Sequence, residues 1–192
     1  PLRCQHDIFS MNLECLYNNY KKTIMSLGLR ETKHVILASI KMQRLYVAQN
    51  GKSLKKFAMS TSKLPPSCQE DSLGTPWGLH EVVEKIGKQE SLGMVFEGRK
   101  PIGLTYWQCD DEKRKENLIT TRILRLRGME KGLNLGEGID SFERYIYIHG
   151  TNHEEHIGTP ASSGCLQLSN LDVLELFSVV GERSHLWLDK ES

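Results

Sequence analysis

The amino-acid pattern predicts a mainly β protein, a β-rich α+β fold with a few short helices and one N-terminal helix. Three observations point this way. From His34 onward, short runs rich in β-branched, aromatic and leucine residues recur between turns of glycine, asparagine and serine. Asn50-Gly51 lies between two such runs, and both residues tolerate positive φ, the mark of a tight hairpin. Helical spacing is confined to residues 10–28 and 171–177.

Taken in order, residues 10–28 place Met11, Leu16, Tyr20, Ile24 and Leu27 along one helical face, with Gly28 as the stop. Asn18, Asn19, Lys21 and Lys22 then face solvent. Residues 1–32 are expected to form a helical extension packed on a main domain of residues 33–192. Val35–Ile40, Gln43–Ala48 and Leu54–Ser60 read as successive strands. In Gly74-Thr75-Pro76-Trp77-Gly78-Leu79-His80, Pro76 and Gly78 set a tight entry into another strand. Trp77 reads as core, and His80 as a packing histidine rather than a second imidazole at a site. Residues 84–138, broken by eight glycines, are expected to be an irregular cleft wall, with a solvated charged loop at 110–117 and one strand at 118–126. Arg122, Arg125 and Arg127 could meet a substrate carboxylate, but surface arginines fit the pattern better. Leu171–Phe177 is a helix capped by Ser169 or Asn170, and Ser184–Asp189 reads as an edge strand.

At 192 residues, the length suits one domain with a sizeable core. Lys and Arg total 25 against 24 Asp and Glu, and no basic block is interleaved with aromatics, so nucleic-acid binding is not expected. The longest apolar runs fall far short of the roughly 20 residues that cross a bilayer, so the chain reads as soluble. No charged-then-apolar signal region follows Pro1, which leaves export open. The five cysteines, at 4, 15, 68, 109 and 165, lack C-x-x-C spacing. Pairing among Cys4, Cys15, Cys68 and Cys109 stays open.

The chemistry concentrates in Tyr145–Asn170. The alternating Tyr145-Ile146-Tyr147-Ile148 delivers His149, and Gly150 lets the chain turn or approach a ligand closely. A polar loop then leads to Ser162-Ser163-Gly164-Cys165. Sixteen positions separate the histidine and the cysteine, enough for a loop to fold back and bring them together. A thiol becomes a nucleophile as thiolate, and a neighbouring imidazole is the usual proton acceptor. Amides around Gly164 and Cys165 could stabilise an oxyanion.

His149-Gly150-Thr151-Asn152 followed by Ser162-Ser163-Gly164-Cys165-Leu166 resembles the active-site signature of the L,D-transpeptidase catalytic domain, the YkuD family. The Asn-Gly hairpin and Thr75-Pro76-x-Gly78 extend the likeness over roughly residues 33–189. The resemblance implies a mixed-sheet, sandwich-like fold and acyl transfer on peptidoglycan stem peptides in the periplasm or cell envelope. It implies no cofactor and a carbapenem as inhibitor. It makes Cys165 the nucleophile and His149 the general base, oriented through a backbone carbonyl at Gly150, with the Ser163, Gly164 and Cys165 amides as oxyanion hole. Thr151, Asn152 and Gln167 become substrate-binding candidates. Two positions depart from the common pattern: Ser163 stands where many members have His, and neutral Gln167 where many have Arg. Water in place of the acceptor amine would give an L,D-carboxypeptidase. The competing readings are an inert packing cysteine, zinc bound by His149, His153, His156 and Cys165, and a non-catalytic wall-binding module.

Overall fold

The computed structural model describes residues 3–191, with side chains from residue 13 onward. Helix α1 (Arg3–Ser26) buries Leu16, Tyr20 and Ile24, spaced four apart so that they share one face. That face packs on Val35, Leu37, Tyr46, Ala48 and Leu79, and the Tyr20 hydroxyl meets His185 Nδ1 at 3.0 Å. Gly28, at φ 65°, ends the helical segment. Leu27 departs from expectation: it lies past the last helical residue and is exposed. Lys21 is not free in solvent but pairs with Glu31 at 3.0 Å. Met11 and Cys4 lie outside the described side chains.

Ten strands follow: β1 (Val35–Ser39), β2 (Arg44–Gln49), β3 (Lys52–Ala58), β4 (Gly78–Ile86), β5 (Met94–Glu97), β6 (Lys100–Thr105), β7 (Ile119–Gly128), β8 (Tyr147–Thr151), β9 (Leu166–Leu168) and β10 (His185–Asp189). Asn50 and Gly51 turn β2 into β3 with φ of 50° and 74°, the positive pair that a tight hairpin requires. The sheet is mixed, with β1–β10 and β8–β9 parallel and the remaining pairings antiparallel. Its order runs β3-β2-β1-β10-β4-β7, and β7 then carries β8 and β9. The β5–β6 hairpin pairs with the start of β7.

Beyond β3, Ser60 bridges Gln167 in β9 through bonds of 2.9 and 2.8 Å, so the sheet curls round and meets itself. Inside the curl lies the main core, with Ile36, Leu45, Met59, Leu124, Leu126, Ile148, Leu166 and Leu186 fully buried. Helix α3 (Asn170–Val179) adds Val173, Leu176 and Phe177 to it. Ser169 caps α3, accepting the Asp172 amide at 3.1 Å.

Three expectations are corrected. Residues 184–189 form no edge strand, because β10 lies between β1 and β4 with Leu186 and Leu188 fully buried. The 84–138 segment is more regular than expected: the glycines mark turns between β4, β5, β6 and β7, as at Gly98 and Arg99, both with positive φ. Short α2 (Asp111–Lys115) lies within the charged stretch. Arg122 is no surface residue, being 6% exposed, because the β7–β8 ladder slips between Thr120 and Ile123 and turns that arginine off the regular alternation.

Candidate active site

The loop into β9 turns at Gly164, whose φ of 126° is a conformation that favours glycine. Ser162 ties this turn together: its hydroxyl accepts the Gly164 amide at 3.2 Å and donates to the Cys165 carbonyl at 2.6 Å. Cys165 is thereby delivered beside the start of β8. The Tyr147 amide donates to its sulfur at 3.4 Å, and the thiol points at the Tyr145 carbonyl 3.5 Å away. Tyr145 holds φ 55°, a strained value for an aromatic residue.

Cys165 is partly exposed and packs against the cluster of Met94, Phe96, Ile123 and Tyr147. Loss of solvent pushes its thiol up to about 11, against the opposing pull of the Tyr147 amide and the Arg144 guanidinium. At neutral pH the sulfur therefore rests as a thiol.

His149 is 3% exposed in the middle of β8, and its Nδ1 lies 2.7 Å from the Gly150 carbonyl. A carbonyl only accepts, so Nδ1 carries the proton and Nε2 is the bare, basic nitrogen. Burial pushes the imidazole down to about 4, so it is neutral at ordinary pH. The parallel register pairs Ile148 with Leu166 and His149 with Gln167. Tyr147 and Cys165, one position earlier on each strand, therefore share a sheet face with His149. Strand spacing and rise put the His149 and Cys165 Cα atoms on the order of 8 Å apart along the diagonal. Among the described residues no hydrogen bond joins the sulfur to the ring.

The remaining candidates separate. Gly150 lies inside β8, paired with Thr120 and Leu168, so of the two uses open to it, a turn or a close approach, the chain makes no turn there. A Cβ would come within 2.8 Å of the Thr120 carbonyl and 2.9 Å of Asn170 Oδ1, so the residue is glycine for space. Of the three amides proposed for an oxyanion, the Gly164 N–H is committed to Ser162, while those of Ser163 and Cys165 have no partner among the described residues. Ser163 is exposed on the rim shared by two recesses, of about 230 and 320 Å3.

Thr151 is 1% exposed; its hydroxyl accepts the His153 amide, and its carbonyl accepts from Asn170. Asn152 donates to the Arg114 and Glu116 carbonyls and accepts the Leu118 amide, clamping the α2–β7 connection. Both residues hold structure where substrate contact was expected, since their polar atoms are already spent on main chain. Gln167 is 3% exposed and donates to Asn117 at 2.7 Å, yet it borders the larger recess.

His80 is fully buried between the Gly78 carbonyl and the Ser141 hydroxyl, away from these groups. His153 and His156 are engaged with Glu155 at the surface. Among the described residues no three His, Cys, Asp or Glu side chains converge as a metal cage.

Sequence reasoning missed Tyr145, Tyr147 and Ser162 as the groups that hold Cys165, because main-chain atoms do much of the holding. It also missed Arg99 at the β5–β6 turn, which donates to the Tyr147 hydroxyl at 3.0 Å and lies over the Tyr145 ring at 5.1 Å. The hairpin tip thus rests on the two tyrosines that flank the sulfur.

The L,D-transpeptidase catalytic-domain model, YkuD, matches residues 33–186. The chain belongs to this family. The YkuD domain begins where α1 has ended, at the lead-in to β1. A Bacillus licheniformis protein whose name assigns it to the L,D-transpeptidases, YkuD, is 47% identical over 38 residues, which is 20% of this chain and 23% of that protein. L,D-transpeptidase 3 from Mycobacterium tuberculosis, solved with a faropenem-derived adduct, superposes with a TM-score of 0.51 at 14% identity, over 82% of this chain and 60% of that one. An L,D-transpeptidase from Mycobacterium smegmatis gives a TM-score of 0.48 at 18% identity, over 82% and 58%. The chain thus spans less than two thirds of these relatives' length. What the Mycobacterium tuberculosis structure shares with it at 14% identity is the mainly β mixed-sheet fold.

Proposed function

We propose that the chain is a cysteine acyltransferase acting on peptidoglycan stem peptides, an L,D-transpeptidase working in the periplasm or cell envelope. The observation that carries this reading is the sulfur of Cys165 held between the Tyr147 amide and the Tyr145 carbonyl, on the face where His149 presents an unprotonated Nε2. Among the described residues no helix is long and apolar enough to cross a membrane.

In the proposed reaction the Cys165 sulfur attacks the acyl carbon of the donor peptide, and its proton passes to His149 Nε2. With the resting groups at about 11 and 4, the free ion pair is uphill, so proton loss accompanies attack. The Ser163 and Cys165 amides stabilise the oxyanion. Collapse expels the donor's terminal residue as an amine, which takes the proton back from the imidazolium and leaves a thioester. An acceptor amine then attacks the thioester carbonyl, His149 takes its proton and returns it to sulfur as the C–S bond breaks, and a new peptide bond forms with the Cys165 thiol restored. Neutral Gln167 offers no charge to a donor carboxylate, which favours an amidated stem peptide.

Incubation with purified muropeptides, with products identified by mass, tests this. Cross-linked dimers formed by the wild type and absent with Cys165→Ala are expected. Trimmed monomers alone would make the chain an L,D-carboxypeptidase. No product from either protein would overturn both activities.

A further inference from the structure

A cavity of about 800 Å3 lies away from the cysteine. It opens between α3, the end of β4 and the β7 slip, and shares no lining residue with the recesses beside Ser163. Alternation along β8 places it on the opposite side of the sheet: Tyr147 packs with Cys165, whereas Ile148 faces the core that contains Phe177.

Its floor is apolar, formed by Phe177, Leu171 and Leu174, with Leu171 left 67% exposed. Two cations stand over the Phe177 ring, Lys85 at 4.2 Å and Arg122 at 5.6 Å. The Lys85 ammonium donates to the Phe177 and Val180 carbonyls, each at 2.6 Å, and Arg122 donates to the Glu90 and Thr121 carbonyls at 2.9 and 2.5 Å. Neither has a carboxylate within ion-pair distance among the described residues, and Arg122 Nε is buried without a partner. Of the acidic residues on the lining, Glu175 is committed to Lys55 at 2.5 Å and Glu182 lies exposed at the rim. Lys88 adds a third cation at the mouth.

Buried charge is ordinarily paired, because its lost hydration must be replaced. Here the nearly buried Arg122 and the half-buried Lys85 have main-chain carbonyls and the Phe177 ring as their direct partners, with the Glu90 and Glu182 carboxylates acting only from beyond ion-pair distance, beside an apolar wall. We propose that this cavity binds an anionic amphiphile, an acidic head group joined to an aliphatic or aromatic body. The head lies against Arg122 and Lys88, and the body against Phe177, Leu171 and Leu174. Carboxylate, sulfonate and phosphate heads meet the same chemistry.

Fluorescence titration of the full chain with 8-anilinonaphthalene-1-sulfonate, an aromatic anion, tests the proposal, with neutral N-phenyl-1-naphthylamine as the uncharged counterpart. One equivalent of the anion is expected to bind, weakened fivefold or more by Arg122→Met and by Leu171→Glu, which puts a carboxylate on the lining. The neutral probe is expected to change less than twofold with Arg122→Met. Alkylating Cys165 beforehand is expected to leave anion binding unchanged, whatever the muropeptide result. Absence of binding to the folded chain, indifference to both substitutions, equal affinity for the neutral probe, or loss on alkylation would overturn it. Should Arg122→Met fail to fold, Leu171→Glu and Lys88→Gln, both at exposed positions, decide the matter by the same criteria.

Discussion

At the scale of single residues, the decisive feature is that buried His149 and partly exposed Cys165 are both neutral at rest, the imidazole held down near 4 and the thiol up near 11. A base that must be unprotonated stays so until the pH drops to about 4. The rate of acylation by a carbapenem is therefore expected to be flat from about pH 5 to 9 and to fall only below that. A pre-formed thiolate–imidazolium pair would instead give an alkaline limb, where the imidazolium, held above the ordinary histidine value by the thiolate, loses its proton. Iodoacetamide, which brings no partner for the proton, should label Cys165 slowly at pH 7 and about tenfold faster per pH unit toward 10. Gly150 makes a second, steric prediction. Ala there must push against the Thr120 carbonyl at 2.8 Å, so Gly150→Ala should cost about 1–3 kcal/mol in denaturant unfolding. The Cys165 signature was legible because the proposed nucleophile, the proposed base and the Gly164 turn stand close together in the chain. A motif does not reveal that Asn152 reaches back to Arg114, Glu116 and Leu118, 34 to 38 positions away, so this clamp was not legible.

At the scale of elements, α3 and the β8–β9 pair fix the site together. Asn170, the first residue of α3, donates to the Thr151 carbonyl and accepts from Thr120 at 2.7 Å, tying helix, β7 and β8 into one unit. Ser169→Ala removes the cap that starts this helix and is expected to cost about 1 kcal/mol, read as a lower unfolding midpoint with acylation chemistry retained. Strands with strong local signals were readable: Asn50-Gly51 fixes its hairpin by backbone chirality alone. β10 was misplaced because its five residues look alike at an edge or in the middle of a sheet, and parallel pairing with β1 is a long-range choice without a local mark. The β5–β6 hairpin was hidden because glycine read as a breaker serves there as a turn.

At the scale of the whole molecule, the fold that closes on itself through Ser60 and Gln167 buries three histidines among the described residues, His80, His149 and His185, and burial lowers all three. His80 and His149 are lowered from 6.5 to about 4. Between those values the unfolded chain binds more protons than the folded one, so stability rises with pH across this window. It is complete above about 6.5 and lost as pH falls toward 4, at up to about 3 kcal/mol for each of these two histidines. Thermal unfolding at pH 7, 5.5 and 4 should show a midpoint that falls steadily, and His80→Gln should flatten that fall. An unchanged slope would mean that other groups set the acid sensitivity. A mainly β domain of this size was legible from alternation and turn chemistry; the closure was not, because it rests on a two-bond bridge between segments more than 100 residues apart.

The most direct measurement is intact-mass and peptide-mapping spectrometry of the wild type, Cys165→Ala and His149→Ala after exposure to a carbapenem. The wild type should gain one adduct mapped to Cys165, Cys165→Ala none, and His149→Ala the same adduct at least a hundredfold more slowly. An adduct on Cys165→Ala, or equal rates with and without the imidazole, would contradict the assignment of nucleophile and base.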